Sequence, residues 1–253
     1  MRICRANFKG DLFYAVMEGD TVYPLQGDPF GSFNRDGRAY SVKDVRLLAP
    51  VLPSKVVCIG KNYYAHAMEM QEGLPPEEPL LFLKPSTSVI DPEADIVYPP
   101  DSSRVDYEAE LAVVIGRRCK DVPMENFRDV ILGYTCLNDV TARDLQKSDG
   151  QWTRGKGYDT FCPIGPWIET ELNPFDVRVE SRLNGRVCQS DSTASMIHPI
   201  DKLVYYISRV MTLLPGDVIA TGTPAGIGPM QAGDSIEVEV SGIGVLRNKL
   251  RLP

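Results

Sequence analysis

Along "VDYEAELAVVIG", residues 105–116, polar and apolar positions alternate and then give way to an unbroken apolar run. An extended strand sends successive side chains to opposite faces. Asp106, Glu108 and Glu110 therefore share one face, and Tyr107, Ala109, Leu111, Val113 and Ile115 line the other, which is core. Ala112 and Val114 continue the acidic face, so burial is expected to begin there too.

The same pattern predicts a strand-rich chain. In the first fifty residues, "RICRANF", "LFYAVM" and "TVYPL" read as strands of a small antiparallel unit, with a turn at "EGD" between the last two. A looser stretch and two prolines precede the apolar strand "VVCIG", which places a boundary near Pro53: a small N-terminal β domain over 1–53 and a main domain over 54–253. Asn184-Gly185 between "VRVESRL" and "RVCQS" predicts a tight hairpin, because both central residues of such a turn need positive φ. Helices are few. Leu203, Ile207 and Val210 recur at helical spacing with Asp201 as an N-cap, and "NYYAHAMEM" and "ENFRDVI" are the other candidates. Strands not regularly interleaved with helices argue for an α+β fold and against a doubly wound parallel sheet.

Composition narrows the functional classes. A net charge of -7 over 253 residues, with no basic stripe, disfavours a nucleic-acid partner. No membrane-length apolar run and no secretory signal are visible, so a cytoplasmic protein is expected. The six cysteines never form a C-x-x-C pair, and settings such as "VVCIG" and "YTCLND" suit reduced, structural thiols.

The candidate chemistry lies in the acidic face. One reading is a solvated strand face. Two carboxylates about 4 Å apart, however, repel by roughly 4 kcal/mol at an effective dielectric near 20, so a partly buried cluster needs a proton or a cation. Asp139, at the end of the apolar run "VILGYTCLN", would complete an all-oxygen triad with Glu108 and Glu110. Such ligands select Mg²⁺, Mn²⁺ or Ca²⁺ and leave positions open for substrate. His66 stands three residues before Glu69, where a helix would let them hydrogen bond. That pair is either a solvated helix face or a base held by a carboxylate. It borders "MEMQEGLPPEEP", which has the composition of a lid or of an ordinary surface loop. Lys84, Arg143, Arg154 and Lys156 are the basic candidates, and the glycine-rich "TGTPAGIGP" offers backbone N–H groups to an anion. No nucleotide fingerprint is present.

Taken in order, "GKNYYAHAMEM", "LFLKPST", "VDYEAELAVVIG", "NDVTARDLQ", "KGYDTFCPIGP" and "GDVIATGTPAGIG" resemble the fumarylacetoacetate hydrolase family over roughly residues 54–250. The resemblance implies curled, barrel-like mixed β-sheets with few helices, a homodimer, and a small anionic keto or enol acid as substrate. It implies Mg²⁺ on Glu108, Glu110 and Asp139, with His66 and Glu69 as a dyad on a lid and Lys156 as a catalytic cation. Lys84, Arg143, Gln146 and Thr223 fall where the family contacts substrate or supports the site. Lys61 departs from the arginine common in relatives, and a point charge there replaces a planar fork.

The activity expected is C–C hydrolysis of an acylpyruvate-type 2,4-diketo acid through a metal-stabilised pyruvate enolate. Isomerisation of a 2-hydroxyhepta-2,4-diene-1,7-dioate or 5-carboxymethyl-2-hydroxymuconate type of acid, and oxaloacetate decarboxylation, use the same enolate. A noncatalytic metal-dependent acid-binding protein would need the triad but not His66, Glu69 or Lys156.

Overall fold

A computed structural model describes residues 1–70 and 77–253. The part of the expected lid that falls on 71–76 lies outside the described residues. The fold is strand-rich α+β, built from several mixed sheets and few helices, and among the described residues no sheet closes into a barrel.

The first three strands, β1 (Arg2–Phe8), β2 (Asp11–Glu18) and β3 (Thr21–Gly27), pair antiparallel in succession. The main region supplies β4 (Val56–Gly60), helix α1 (Tyr64–Glu69), β5 (Leu80–Lys84), β6 (Val105–Tyr107), β7 (Ala109–Ile115) and β8 (Ile131–Asn138). Helices α2 (Arg143–Asp149) and α3 (Thr153–Gly157) follow, then β9 (Cys162–Glu169), β10 (Arg178–Leu183), β11 (Arg186–Ser192), α4 (Ile200–Val210), β12 (Val218–Ala220), β13 (Ser235–Val240) and β14 (Gly244–Arg251).

The largest sheet runs β3-β2-β1-β9-β8-β7-β12-β4-β5. Strand β1 pairs with β9 at Arg2↔Glu169 and Ile3↔Ile168, so the N-terminal strands extend the main sheet. Strand β7 sits between two antiparallel neighbours, β8 and β12, and β12 runs parallel to β4. A second sheet joins β14, β13, β10 and β11. Asn184, with φ 52, and Gly185, with φ 80, form the β10–β11 turn, as the Asn-Gly pair predicts.

Two cores lie on the two faces of β7. Ala109, Leu111, Val113 and Ile115 pack with α4 and the second sheet, through Leu203, Ile207, Val238 and Leu246. Ala112 and Val114 pack on the opposite side with Leu137, Ile164, Val218 and Ile3. The single long strand expected through 106–115 is broken at Glu108, whose N–H is taken by the Asn138 side chain (2.9 Å) instead of a neighbouring strand. Strand β6 thereby joins a small sheet with Thr141–Ala142 and Gly228–Met230, and Tyr107 packs with Val105, Phe161 and Met230, not with Leu111.

The helices differ in detail from the pattern. Where "ENFRDVI", residues 125–131, was expected as α-helix, Met124–Val130 form a 3-10 helix. Pro199, not Asp201, occupies the N-cap position of α4 and makes no side-chain capping bond, and Asp201 sits in the first turn where the helix dipole favours an anion. All six cysteines are free, four of them buried. Among the described residues no helix is long and apolar enough to cross a membrane.

Helix α4 turns Leu203 fully inward, but Val210, its last residue, remains 58% exposed. Leu203→Ala should cost about 2–5 kcal/mol of unfolding free energy, whereas Val210→Ala should change it by less than about 0.5 kcal/mol. Urea denaturation of the two variants measures the contrast, and equal losses would contradict the packing of α4.

Candidate metal centre and active site

The candidate site forms where several chain ends meet at one edge of the main sheet. Strand β7 begins there, with Glu110 near its start and Glu108 just before it, and β8 ends there at Asn138, with Asp139 just beyond. Parallel strands β4 and β12 both deliver their C-terminal ends to the same edge. Beyond β4, Asn62 locks the edge by donating to the carbonyls of His198 (3.0 Å) and Thr221 (2.7 Å). Beyond β12, Gly222 has a φ of 98°, and a Cβ there would lie 2.6 Å from that of Asn62, so the close approach requires glycine.

Glu108, Glu110 and Asp139 are all buried, and each offers a carboxylate oxygen within 4.8 Å of the others. Three cations from other elements surround them. Lys156 Nζ, from α3, lies 2.7 Å from both Glu108 Oε2 and Asp139 Oδ2. Lys84 Nζ, from β5, donates to Asp139 Oδ1 at 2.6 Å and to the Val140 carbonyl. Arg143, from α2, pairs with Glu108 Oε1 and with Asp106, and donates to Gln146 Oε1 at 2.6 Å. Helix α3 comes this close to α2 because Gly155 faces the Gln146 backbone, where a Cβ would meet Gln146 Cα at 2.9 Å.

These charges are unevenly shared. Burial would raise the pKa of Glu108, but Lys156 and Arg143 outweigh it and hold the group well below the usual carboxylate range. Lys156 stays cationic for the reciprocal reason: burial opposes its charge, and Asp139 and Glu108 more than restore it. Glu110 is the exception. Its only hydrogen bond among the described residues comes from the Gly222 N–H (2.8 Å), and it makes no ion pair there. Burial, and then the charges of Asp139 and Glu108, push it well above the carboxylate range. An all-oxygen cluster with one carboxylate lacking a cationic partner fits a hard divalent ion, so the residues present suit the group the resemblance implies.

The second feature is the His66–Glu69 pair on α1. His66 Nδ1 lies 3.2 Å from Glu69 Oε2, and the histidine is buried, not on a solvated face. Glu69 also accepts from the Gly226 N–H. Burial would raise its pKa, but these bonds hold it below the ordinary value. The N–H groups of "TGTPAGIGP" that were expected to meet an anion thus meet the protein's own carboxylates, Glu110 and Glu69.

The triad and His66 face one pocket, lined also by Lys61, Phe82, Arg143, Gln146, Trp152, Lys156 and Thr223, with Glu69 behind His66 and outside that lining. Lys84 stands behind Asp139 and does not line it. The Thr223 hydroxyl donates to the Ala109 carbonyl (2.9 Å) and accepts from Gln189 (2.7 Å). Arg154 is paired with Asp149 outside the pocket. Sequence reasoning missed Trp152, Phe82, Gln189 and Asn62. Aromatic or amide side chains carry no charge signature in one sequence, and only tertiary packing brings them here.

A strand-rich α+β chain with a buried acidic triad beside a His–Glu pair defines a class of enzyme fold. The model of that class described as fumarylacetoacetate (FAA) hydrolase C-terminal matches residues 55–251, and an Rv2993c-like N-terminal model matches residues 1–50. The chain belongs to the fumarylacetoacetate hydrolase family. Its whole length superposes on 98% of a 2-hydroxyhepta-2,4-diene-1,7-dioate isomerase from Mycobacterium marinum, at 48% identity and a TM-score of 0.94. A maleylpyruvate hydrolase from Sphingobium sp. SYK-6, solved with manganese (II) ion and pyruvate, matches all of this chain and 99% of that one at 29% identity and a TM-score of 0.82. The mitochondrial oxaloacetate tautomerase Fahd2a of Rattus norvegicus is 39% identical over 81% of this chain and 69% of its own length. The family is thus enzymatic, with hydrolases, isomerases and tautomerases among its members.

The unmatched charge of Glu110 yields a stability test. Glu110→Gln removes the one triad carboxylate that lacks a cationic partner, so without divalent ions the variant should melt at or above the wild-type temperature. Mn²⁺ at about 100 times its dissociation constant should stabilise wild type by about 2.7 kcal/mol and the variant far less. Scanning calorimetry with and without Mn²⁺ checks this, and equal Mn²⁺ shifts would contradict it.

Proposed function

We propose that the protein is a divalent-metal-dependent enzyme acting on small 2-oxo acids, and that it hydrolyses the C–C bond of an acylpyruvate-type 2,4-diketo acid. The observation that carries this reading is the meeting, in one pocket, of three carboxylates, one of them without a cationic partner among the described residues, and His66, which Glu69 holds from behind. The manganese and pyruvate in the maleylpyruvate hydrolase structure support the same assignment of metal and substrate class.

Glu108, Glu110 and Asp139 would hold Mg²⁺ or Mn²⁺. When bound, the ion would draw electron density from the 2-oxo group of a pyruvoyl unit and lower the cost of its enolate. Arg143 and Gln146 orient the substrate carboxylate, Arg143 being fixed by Asp106 and Glu108. With Nδ1–H donated to Glu69, His66 presents the Nε2 lone pair to a water molecule. His66 takes a proton as the water oxygen bonds to the distal carbonyl carbon. The C–C bond then breaks, its electron pair passes to the pyruvate fragment as enolate, and the proton held by His66 returns to that fragment's methylene carbon. Lys156 places a fixed positive charge beside the developing oxyanion.

A second reading is proton transfer alone, converting enol and keto forms of an acid. It is favoured by the isomerase and tautomerase relatives, and the His66–Glu69 pair suffices for it without an attacking water.

With Mn²⁺, acetylpyruvate should yield pyruvate and acetate, EDTA should abolish turnover, and His66→Ala should lower kcat by about 10²–10⁴. Product chromatography checks the reaction. Undiminished turnover by the variant would contradict the base assignment, and enol–keto exchange of oxaloacetate without acetylpyruvate cleavage would select the second reading.

A further inference from the structure

Trp152 stands where two cavities meet. It lines the metal pocket with His66 and the triad, and it also lines an outer groove formed by Leu81, Leu83, Pro85, Gln151 and Thr153. Phe82 is the other residue common to both. The two rings meet edge to face, with centroids 5.1 Å apart and planes inclined at 73°. Together they form the wall between pocket and groove.

This wall is held from several sides. Gly60, the last residue of β4, lets the indole lie against its backbone, since a Cβ there would come within 2.6 Å of the ring. The Trp152 carbonyl accepts from the Lys156 N–H (2.9 Å), so one turn of chain carries both the indole and the cation that pairs with Glu108 and Asp139. Lys156 Nζ in turn sits 5.1 Å from the centre of the Phe82 ring, a cation–π contact that holds the second ring. Beyond the wall, both cations of the groove are already paired, Lys55 with Asp217 and Lys84 with Asp139. Elsewhere the metal pocket shares Met70 and Arg143 with a cavity lined by Glu69, Arg104 and Lys147. An apolar tail gains little among those charged groups and would gain by burial in the groove, but Trp152 closes that way.

We propose that Trp152, backed by Phe82, sets the chain-length limit of the metal pocket, admitting 2-oxo acids with a short uncharged tail and excluding longer apolar ones. The inference rests on the 2-oxo acid reading of that pocket and names the tail which that reading leaves open. With the 2-oxo end at the triad and Arg143, a short tail ends against the indole. A longer one would have to displace a ring held by Gly60, Phe82 and the start of α3, and overpacking of that kind is costly. Trp152 supplies neither charge nor proton; it acts by shape alone.

Two probes that lack a distal carbonyl, and so cannot be cleaved, test the limit: 2-oxobutanoate and 2-oxooctanoate, which differ only in the length of an apolar tail. Their dissociation constants from the Mn²⁺-loaded protein are measured by calorimetry, and the quantity read is the ratio of the two. Wild type should bind the short acid about tenfold or more tightly than the long one. Trp152→Ala joins pocket to groove and should reverse that preference, because each methylene buried in the groove is worth about fourfold in affinity. Trp152→Phe, which keeps a smaller ring against Phe82, should give a ratio between the two and carries the test should the alanine variant not fold. Equal binding of the two acids by wild type, or a wild-type ratio retained in the folded variants, would overturn the limit while leaving the 2-oxo acid reading intact. If wild type binds neither acid, that reading fails and the limit with it.

Discussion

Carboxylates buried together repel one another, and much of the structure around Glu108, Glu110 and Asp139 exists to hold them in place. Strand β7 lies between two antiparallel neighbours, so its first residues meet the end of β8 and the turn beyond β12. That order brings Asp139 and the Gly222 N–H to Glu108 and Glu110. The compensating charges come from outside the strands: Lys84 from β5, Arg143 from α2 and Lys156 from α3. They pair with Glu108 and Asp139, and among the described residues no cation pairs with Glu110, an imbalance that suits a divalent ion.

The His66–Glu69 pair reaches the same edge by a separate route. Strand β4 is parallel to β12, so the segment after β4 emerges beside the glycine-rich turn after β12. Helix α1 starts there, and Asn62 ties the two segments together. Gly226 then supplies the N–H that holds Glu69. The edge of the sheet thus keeps the charged groups of both features in register.

Much of this arrangement was legible in the residues. Alternation at 106–115 identified the core face of β7 and the shared side of the carboxylates, and the i,i+3 spacing of His66 and Glu69 foretold their contact. The break at Glu108 was not legible, because its cause is the Asn138 side chain thirty residues away. Helices α2 and α3 escaped for a similar reason: each is short, Gly150 separates them, and they are held by tertiary contacts such as Gly155 against Gln146. The N-terminal strands read correctly as hairpins, but periodicity could not reveal that β1 continues the main sheet through β9. Nor could alternation show that Asp106 pairs with two arginines while Glu108 and Glu110 cluster with Asp139, since that division depends on where Arg104 and Arg143 fold back.

Glu108, Glu110 and Asp139 are proposed to enclose jointly one hard divalent cation. Anomalous X-ray diffraction from crystals of the protein grown with Mn²⁺ tests it directly. The account predicts a single strong manganese peak in contact with an oxygen of each of the three carboxylates. A map with no peak among them, or manganese bound only at other acidic groups, would contradict it.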